Sequence, residues 1–480
     1  MSLQKNFLYN SILTVSKYLF PLIVYPYVSR TLGLSNIGIV NFIDNLVNYF
    51  VYISMMGITT VGVREIATFR SDKDLLSKAF ISLLTLTAIT TLIAIAALWI
   101  AMYTVSDLIP YQDLLYIGLI KLVFNLFLME WFFMGIEDFR YITNRSIFVK
   151  CLYVACVFLF IREASDYKTY YVLSAGMVVV NALFNLFYIR KFVHWSFSTI
   201  NLRPFYKSFL IMGIYVLLTN VYTSLNPVWL GVVTDTDQVG YFTTATKLHN
   251  IIMAVLLSFA NILFPRVSNL LAEDRKKEYW EKIDTSFDAI LLFAFPTIVF
   301  IVSVGPQLLH VLVGDGFEGS YLPLRIITPL TLIIGIEEIL VIQILMSMRQ
   351  DYTVLRNSLI GAIVALLLNK LLTANMGAVG SAIVWICAEC AIMFISMYDV
   401  YRKYHYTIPY KRVLAYVVSY ALLLLISVAL CQYFDNEILL LGVVATLTLI
   451  YTGLNETFVM KNKVVSQTLL PTLKSLFKHS

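Results

Sequence analysis

Charge is what this 480-residue chain has least of. Lys, Arg, Asp and Glu together make up 13% of it, against about 25% in ordinary soluble domains. Long polar segments are missing too: no stretch between apolar runs exceeds roughly 20 residues, which excludes a sizeable soluble domain. The first apolar run is long, studded with polar residues and without a small-residue cleavage site. It therefore reads as a first span that stays, not as a signal peptide. The net charge of +6 is dispersed over short loops with no basic patch, which excludes a nucleic-acid binder. There is no H-E-x-x-H, no phosphate-binding glycine-rich loop with its lysine and no credible nucleophile set, so no enzyme, cofactor or metal is expected. Cysteines number five. Cys387 and Cys390 form a C-x-x-C that lacks a second ligand pair and a polar setting, and they read as small packing residues.

What remains is apolar sequence. Hydrophobic residues make up 59% of the chain and the mean hydropathy is +0.80. Apolar runs set against Pro- and Gly-bearing breaks give spans at 6–29, 38–62, 79–102, 114–135, 142–161, 170–189, 207–231, 239–264, 285–304, 324–347, 354–372, 377–398, 411–431 and 437–454. The expectation is an all-α, polytopic membrane protein of about fourteen transmembrane helices. With the N-terminus placed in the cytoplasm, 26 of the 35 Lys and Arg fall on the cytoplasmic side and 5 outside, Arg145 being counted among the former. That asymmetry places both termini in the cytoplasm. Trp99, Tyr103, Trp195, Trp229 and Tyr241 fall near span ends, where amphipathic rings favour the interface.

Shifting the chain by 202 residues superposes Lys5 on Lys207, Phe7 on Phe209, Gly38 on Gly240, Asn48 on Asn250, Arg64 on Arg266 and Asp72 on Asp274. These ordered matches suggest two six-span halves followed by two extra spans, with divisions at 1–195, 196–403 and 404–480. Parallel repeats of this kind are a transporter architecture.

Four lysines, Lys17, Lys121, Lys150 and Lys247, sit inside apolar spans. A charge at membrane depth costs roughly 2.5–3.5 kcal/mol on insertion scales and usually has a use or a partner. In span one, Asn6, Asn10, Lys17 and Pro21 share a helical stripe, with Lys17 roughly 16 Å deep. Pro21 and Pro26 favour a kink beyond it. Asn41, Asp44, Asn45 and Asn48 form a stripe in span two, Asn220, Thr223, Ser224 and Asn226 one in span seven, and Thr243, Lys247, Asn250 and Asn261 one in span eight. Polar stripes should face one another or water, although any single Asn or Thr can simply bond helix to helix. Lys150, five residues past Arg145, can snorkel to the cytoplasmic face. Arg30 reads as a gate residue or an interface anchor. Asp44, Glu130, Glu337, Glu338 and Glu389 are intramembrane acids, able to carry protons or sodium or to neutralise lysines.

The segments YPYVSRTLGLSNIGIVNFIDNLVNYF (25–50), GITTVGVREIA (57–67) and WFFMGIEDFRYITNRSIFVK (131–150) resemble bacterial oligosaccharide flippases. These are the O-antigen and capsular repeat-unit translocases of the multidrug/oligosaccharidyl-lipid/polysaccharide exporter superfamily. The resemblance implies two six-helix bundles around a central cavity open alternately to each side of the inner membrane. It implies a substrate oligosaccharide joined through pyrophosphate to undecaprenol, with polysaccharide polymerase and assembly proteins as partners. The substrate and ion pathway is then expected to draw on Lys17, Arg30, Asp44, Asn48, Lys121, Glu130, Lys150, Lys247, Asn250, Glu337 and Glu338. Two alternatives stand beside it. One is a cation-coupled multidrug exporter of the same superfamily. The other is a membrane-embedded polymerase or glycosyltransferase using Asp235-Thr236-Asp237 as a D-x-D.

Overall fold

Apolar runs of this length leave the backbone no partner but itself in a bilayer, and helices satisfy every amide internally. The computed structural model describes residues 3–194, 200–272, 275–462 and 464–466, and among them every regular element is helical. The side chains of Lys5, Asn6, Asn10, Asn261 and Arg266 lie outside the described set, as do Trp195, Asp274, Lys463, Lys474 and Lys478.

Among the described residues, eleven helical stretches are long and apolar enough to cross a membrane. Two of them, Ile12–Phe69 and Asp351–Tyr404, run for 58 and 54 residues, each covering two of the spans read from the sequence. The eighth span, 239–264, falls within a long helix, Thr236–Ala272. Outward surfaces are apolar, as lipid requires: Leu92, Ile100, Leu371, Val418, Leu425 and Leu449 are all more than 60% exposed.

The chain forms two compact units, Met1–Gly240 and Tyr241–Ser480. In the first, α1 (Leu3–Met55) packs on α3 (Lys73–Thr104), α4 (Gln112–Asn125) and α6 (Phe139–Phe160), and α4 packs on α7 (Tyr167–Tyr188). Pro21 and Pro26 both lie inside α1, yet the residue that leaves helical geometry is Gly33, at φ 76. That left-handed conformation is open to glycine at little cost. It marks the join between spans one and two. The sequence-derived end of span two at residue 62 needs correcting. The helix stops at Met55, Met56 has φ 41, and a separate α2 (Ile58–Phe69) follows. An aromatic cluster of Phe80, Trp131, Phe132 and Phe133 fixes α2 and α3 on α5 (Glu130–Gly135). The short α8 (Tyr206–Thr219), a π-helical turn at Val221–Leu225 and α9 (Asn226–Val233) also belong to this unit. They do so because α8 packs on α1 and α2, where a Cβ on Gly57 would stand 2.6 Å from Met212 Cβ. The long helix Thr236–Ala272, α10, carries the chain from one unit to the other.

The second unit is built on α11 (Lys276–Val313), which packs on α13 (Leu330–Glu337), α16 (Tyr410–Leu430) and α17 (Glu437–Leu454). The helices α14 (Asp351–Leu368) and α15 (Ala374–Tyr404) pack together, with α12 (Tyr321–Ile327) and α13 against α15. Gly377, at φ 55, breaks α15 near its start. Its described residues include π-helical segments at Glu338–Met346, Asn369–Thr373 and Asn455–Val459. Such segments are rare and gather at functional sites.

The last two helices are held by polar bonds inside apolar surroundings. Glu456, fully buried, accepts from Tyr416 at 2.5 Å and from Tyr420 at 3.0 Å. Asn462 donates to the Tyr416 hydroxyl and to the Asp288 carbonyl of α11, both at 2.9 Å, and Arg412 pairs with the Asp288 carboxylate.

Candidate functional site

In the first unit, three polar groups separated by up to 77 residues meet. Asp44 and Asn48 stand one turn apart on α1, and Asn48 donates to Asp44 at 3.0 Å. Lys121 of α4 donates to Asp44 Oδ1 at 2.6 Å and to Asn48 Oδ1 at 2.8 Å. Lys121 is 12% exposed and Asp44 30%. Gly118, one turn before Lys121, makes this approach possible: a Cβ there would lie 2.4 Å from Val47 Cγ2. Thus one intramembrane lysine neutralises one intramembrane acid.

A second ion pair forms beside it in sequence but on other helices. Arg145 of α6 donates to Glu130 at 2.6 Å and to Asn185 of α7, and its side chain is only 3% exposed. Asp138 caps α6 by accepting from the Tyr141 amide, so the helix begins three residues before the expected span and draws Arg145 inside. Glu130 is accordingly occupied.

Lys150 is half-buried and turned toward α1. Its ammonium donates to Ser16 of α1 at 3.0 Å and lies 5.7 Å from the Phe20 ring centroid. Ser16 is buried and bonds back to the Leu13 carbonyl. Lys17, next to Ser16, is exposed, and the Lys150 charge is felt by both the Lys17 ammonium and the Glu130 carboxylate. Among the described residues, neither lysine has a carboxylate within ion-pair distance. Two like charges held together in a medium of low dielectric favour the arrival of an anion. Arg30 is exposed three residues before the Gly33 break.

In the second unit, Glu337 and Glu389 lie within hydrogen-bonding reach of one another, with Glu338 beside them. Glu389 is buried and accepts from the Trp385 indole at 3.0 Å. The Trp385 ring meets His249, a buried residue of α10 that sequence reasoning missed, at 5.5 Å between centroids. The available signal was a lone histidine between Lys247 and Asn250. Lys247 is half-buried and Asn250 exposed. The repeat does not reproduce the first unit's triad: at the same shift Asp44 falls on Thr246 and Lys121 on Pro323. Among the described residues, no group of three or more His, Cys, Asp or Glu has the geometry to hold a metal ion. The D-x-D has a structural use, since Asp235 accepts from the Gln238 amide at 2.9 Å at the start of α10.

Comparison with known proteins agrees with this architecture. The chain is 23% identical over 401 residues to an Escherichia coli (strain K12) protein named "Putative O-antigen transporter", covering 82% of this chain and 95% of the other. A protein of the same name from Shigella dysenteriae is 24% identical, covering 82% of this chain and 99% of its own. Among solved structures, the lipid II flippase MurJ in an inward closed conformation superposes with a TM-score of 0.74 at 15% identity, covering 94% of this chain and 99% of that one. An inward-facing multidrug resistance MATE transporter of the MOP superfamily gives 0.62 at 17% identity, over 80% and 94%. The likeness to solved structures establishes a transporter fold, as the resemblance of residues 25–50, 57–67 and 131–150 implied. The family described as polysaccharide biosynthesis protein matches residues 3–271, more than half of the sequence, and the chain belongs to that family.

Proposed function

We propose that this protein is a flippase that carries undecaprenyl-pyrophosphate-linked oligosaccharide repeat units across the cytoplasmic membrane by alternating access. The units would feed O-antigen or capsular polysaccharide, taken up by a polymerase and its assembly partners. Both termini face the cytoplasm in this reading, and 1–195, 196–403 and 404–480 are its two bundles and an appended helix pair. One observation carries the assignment: Lys150 of α6 donates to Ser16 of α1, the residue next to Lys17, while the acids Asp44 and Glu130 are engaged by Lys121 and Arg145. A doubly charged pyrophosphate is the anion such a pair favours, and lysines act as point charges that hold and release phosphate. An exporter of organic cations would want the opposite sign there.

Turnover needs a driving force, which the reading assigns to a proton or sodium gradient acting on Glu337, Glu338 and the neighbouring Glu389. Two carboxylates in hydrogen-bonding reach must share a proton or a cation. Arg30, Lys247 and Asn250 complete the proposed pathway. The test is a strain lacking the gene, in which lipid-linked repeat units should accumulate on the cytoplasmic leaflet. Wild-type protein should clear them, and Lys17→Ala with Lys150→Ala should not, at matched expression. Clearance at the wild-type rate by the double variant refutes the assignment of the anion site. Absence of accumulation in the deletion strain refutes the function.

A further inference from the structure

The ends of α6 and α7 enclose a second feature that the translocation reading does not use. A cavity of about 730 Å³ is lined by Asp138, Arg140, Tyr141, Asn144, Arg145, Phe148, Phe184 and Tyr188. We propose that it holds the head group of an anionic bilayer phospholipid. The buried floor carries a guanidinium, paired on one edge with Glu130. Arg145 lines the cavity with a nearly inaccessible guanidinium whose Nε has no hydrogen-bond partner. The rim adds Arg140 and Asn144, both exposed, and Lys191, whose ammonium lies 4.7 Å from the Tyr188 ring centroid. The one acid in the lining, Asp138, is turned to the protein, accepting from the Tyr141 amide and from the Tyr188 hydroxyl at 2.9 Å. The charges facing the space thus favour a phosphate.

The walls fit the rest of a lipid. Phe148 and Phe184 are 58% and 42% exposed, with ring centroids 6.2 Å apart, and Leu152 and Phe187 extend the same bare apolar surface. Such a surface is expected against acyl chains and not against water. The position is right as well. The cavity lies where α6 begins and α7 ends, at a membrane boundary, and basic pockets between helices at that level suit anionic head groups. It is separate from the Lys17–Lys150 pair, because Lys150 turns from α6 toward α1 while Arg145 turns toward α7.

The test uses the full-length protein purified in detergent and titrated with phosphatidylglycerol or phosphatidylcholine, with bound lipid counted by native mass spectrometry. Phosphatidylglycerol should be retained in preference. Arg140→Gln and Lys191→Gln, both at exposed positions, should each weaken retention about fivefold while leaving the lipid-free melting temperature unchanged. Arg145→Lys, which keeps the charge beside Glu130, should weaken it too. Equal retention of both lipids overturns the proposal, as does undiminished phosphatidylglycerol binding by the Arg140→Gln/Lys191→Gln double variant. Inorganic pyrophosphate displacing the bound lipid, with translocation falling in the same variants, would assign the cavity to the transported substrate and overturn it as well.

Discussion

Replacing Lys121 with methionine isolates the contribution of the α1–α4 ion pair. The substitution keeps the length and apolar stem of the side chain but removes the ammonium that bridges Asp44 and Asn48 at 2.6 and 2.8 Å. Leaving one member of a fully buried pair without its partner costs about 3–5 kcal/mol. Asp44 is 30% exposed, so water recovers part of the loss, and about 2 kcal/mol is the reasonable expectation. For a unit of this size that lowers the melting temperature by roughly 4–8 °C. Adding Asp44→Asn removes the stranded charge and lets two amides meet one turn apart on α1. The double variant should therefore recover most of the loss, with a coupling of at least about 1 kcal/mol between the two sites. The assay is thermal unfolding in detergent of the wild type, both single variants and the double variant. A Lys121→Met protein that melts with the wild type refutes the structural reading. So does a double variant that falls as far as the worse single one.

Three further expectations follow from contacts elsewhere. A Cβ on Gly38 would stand 1.9 Å from the Thr236 carbonyl oxygen; because backbone cannot step aside as a side chain can, Gly38→Ala should abolish complementation of a deletion strain, and normal complementation would deny the close approach. Glu456→Leu should leave the Tyr416 and Tyr420 hydroxyls without their acceptor inside the bundle, costing about 2–4 kcal/mol and exposing residues 410–462 to limited proteolysis; unchanged protection would refute a role in fastening α16 and α17. Asp235→Ala should cost about 1 kcal/mol through the lost helix cap and confer no change in divalent-ion dependence, whereas loss of a metal-dependent glycosyl transfer would revive the enzyme reading.

Much of the fold was legible because membrane helices announce themselves by length and hydropathy. The breaks were less so. The prolines at 21 and 26 look like the kink, but a proline can ride inside a long helix when neighbouring groups donate to the freed carbonyls. The residue that changes direction is Gly33. Arg145 was counted with the cytoplasmic cations, and no spacing rule tied it to Glu130, which it meets at 2.6 Å. Pairings such as Asp44 with Lys121 join helices that no spacing rule connects. Glu456 was missed because apolar sequence stops at residue 454, while the helix continues through a π turn to Val459. Its partners Tyr416 and Tyr420, four apart on α16, were the visible signal.

The distribution of charge between the two units is an argument in its own right. The first unit settles its acids internally: Asp44 on Lys121 and Glu130 on Arg145. That leaves cationic groups at Lys17 and Lys150 for something that comes and goes. In the second unit Glu337, Glu338 and Glu389 crowd together around Trp385, with a buried histidine behind it. Both arrangements are unfavourable alone, since like charges at low dielectric repel strongly. In the function proposed above, each would be relieved by a mobile species of opposite sign, an anionic head group at the lysines and a proton or cation at the carboxylates. A protein that only packed helices together would have no reason to keep either cluster. The proposed exchange of an anion against a cation gradient would use both, because a ligand shifts a conformational equilibrium only through its differential affinity for the two states.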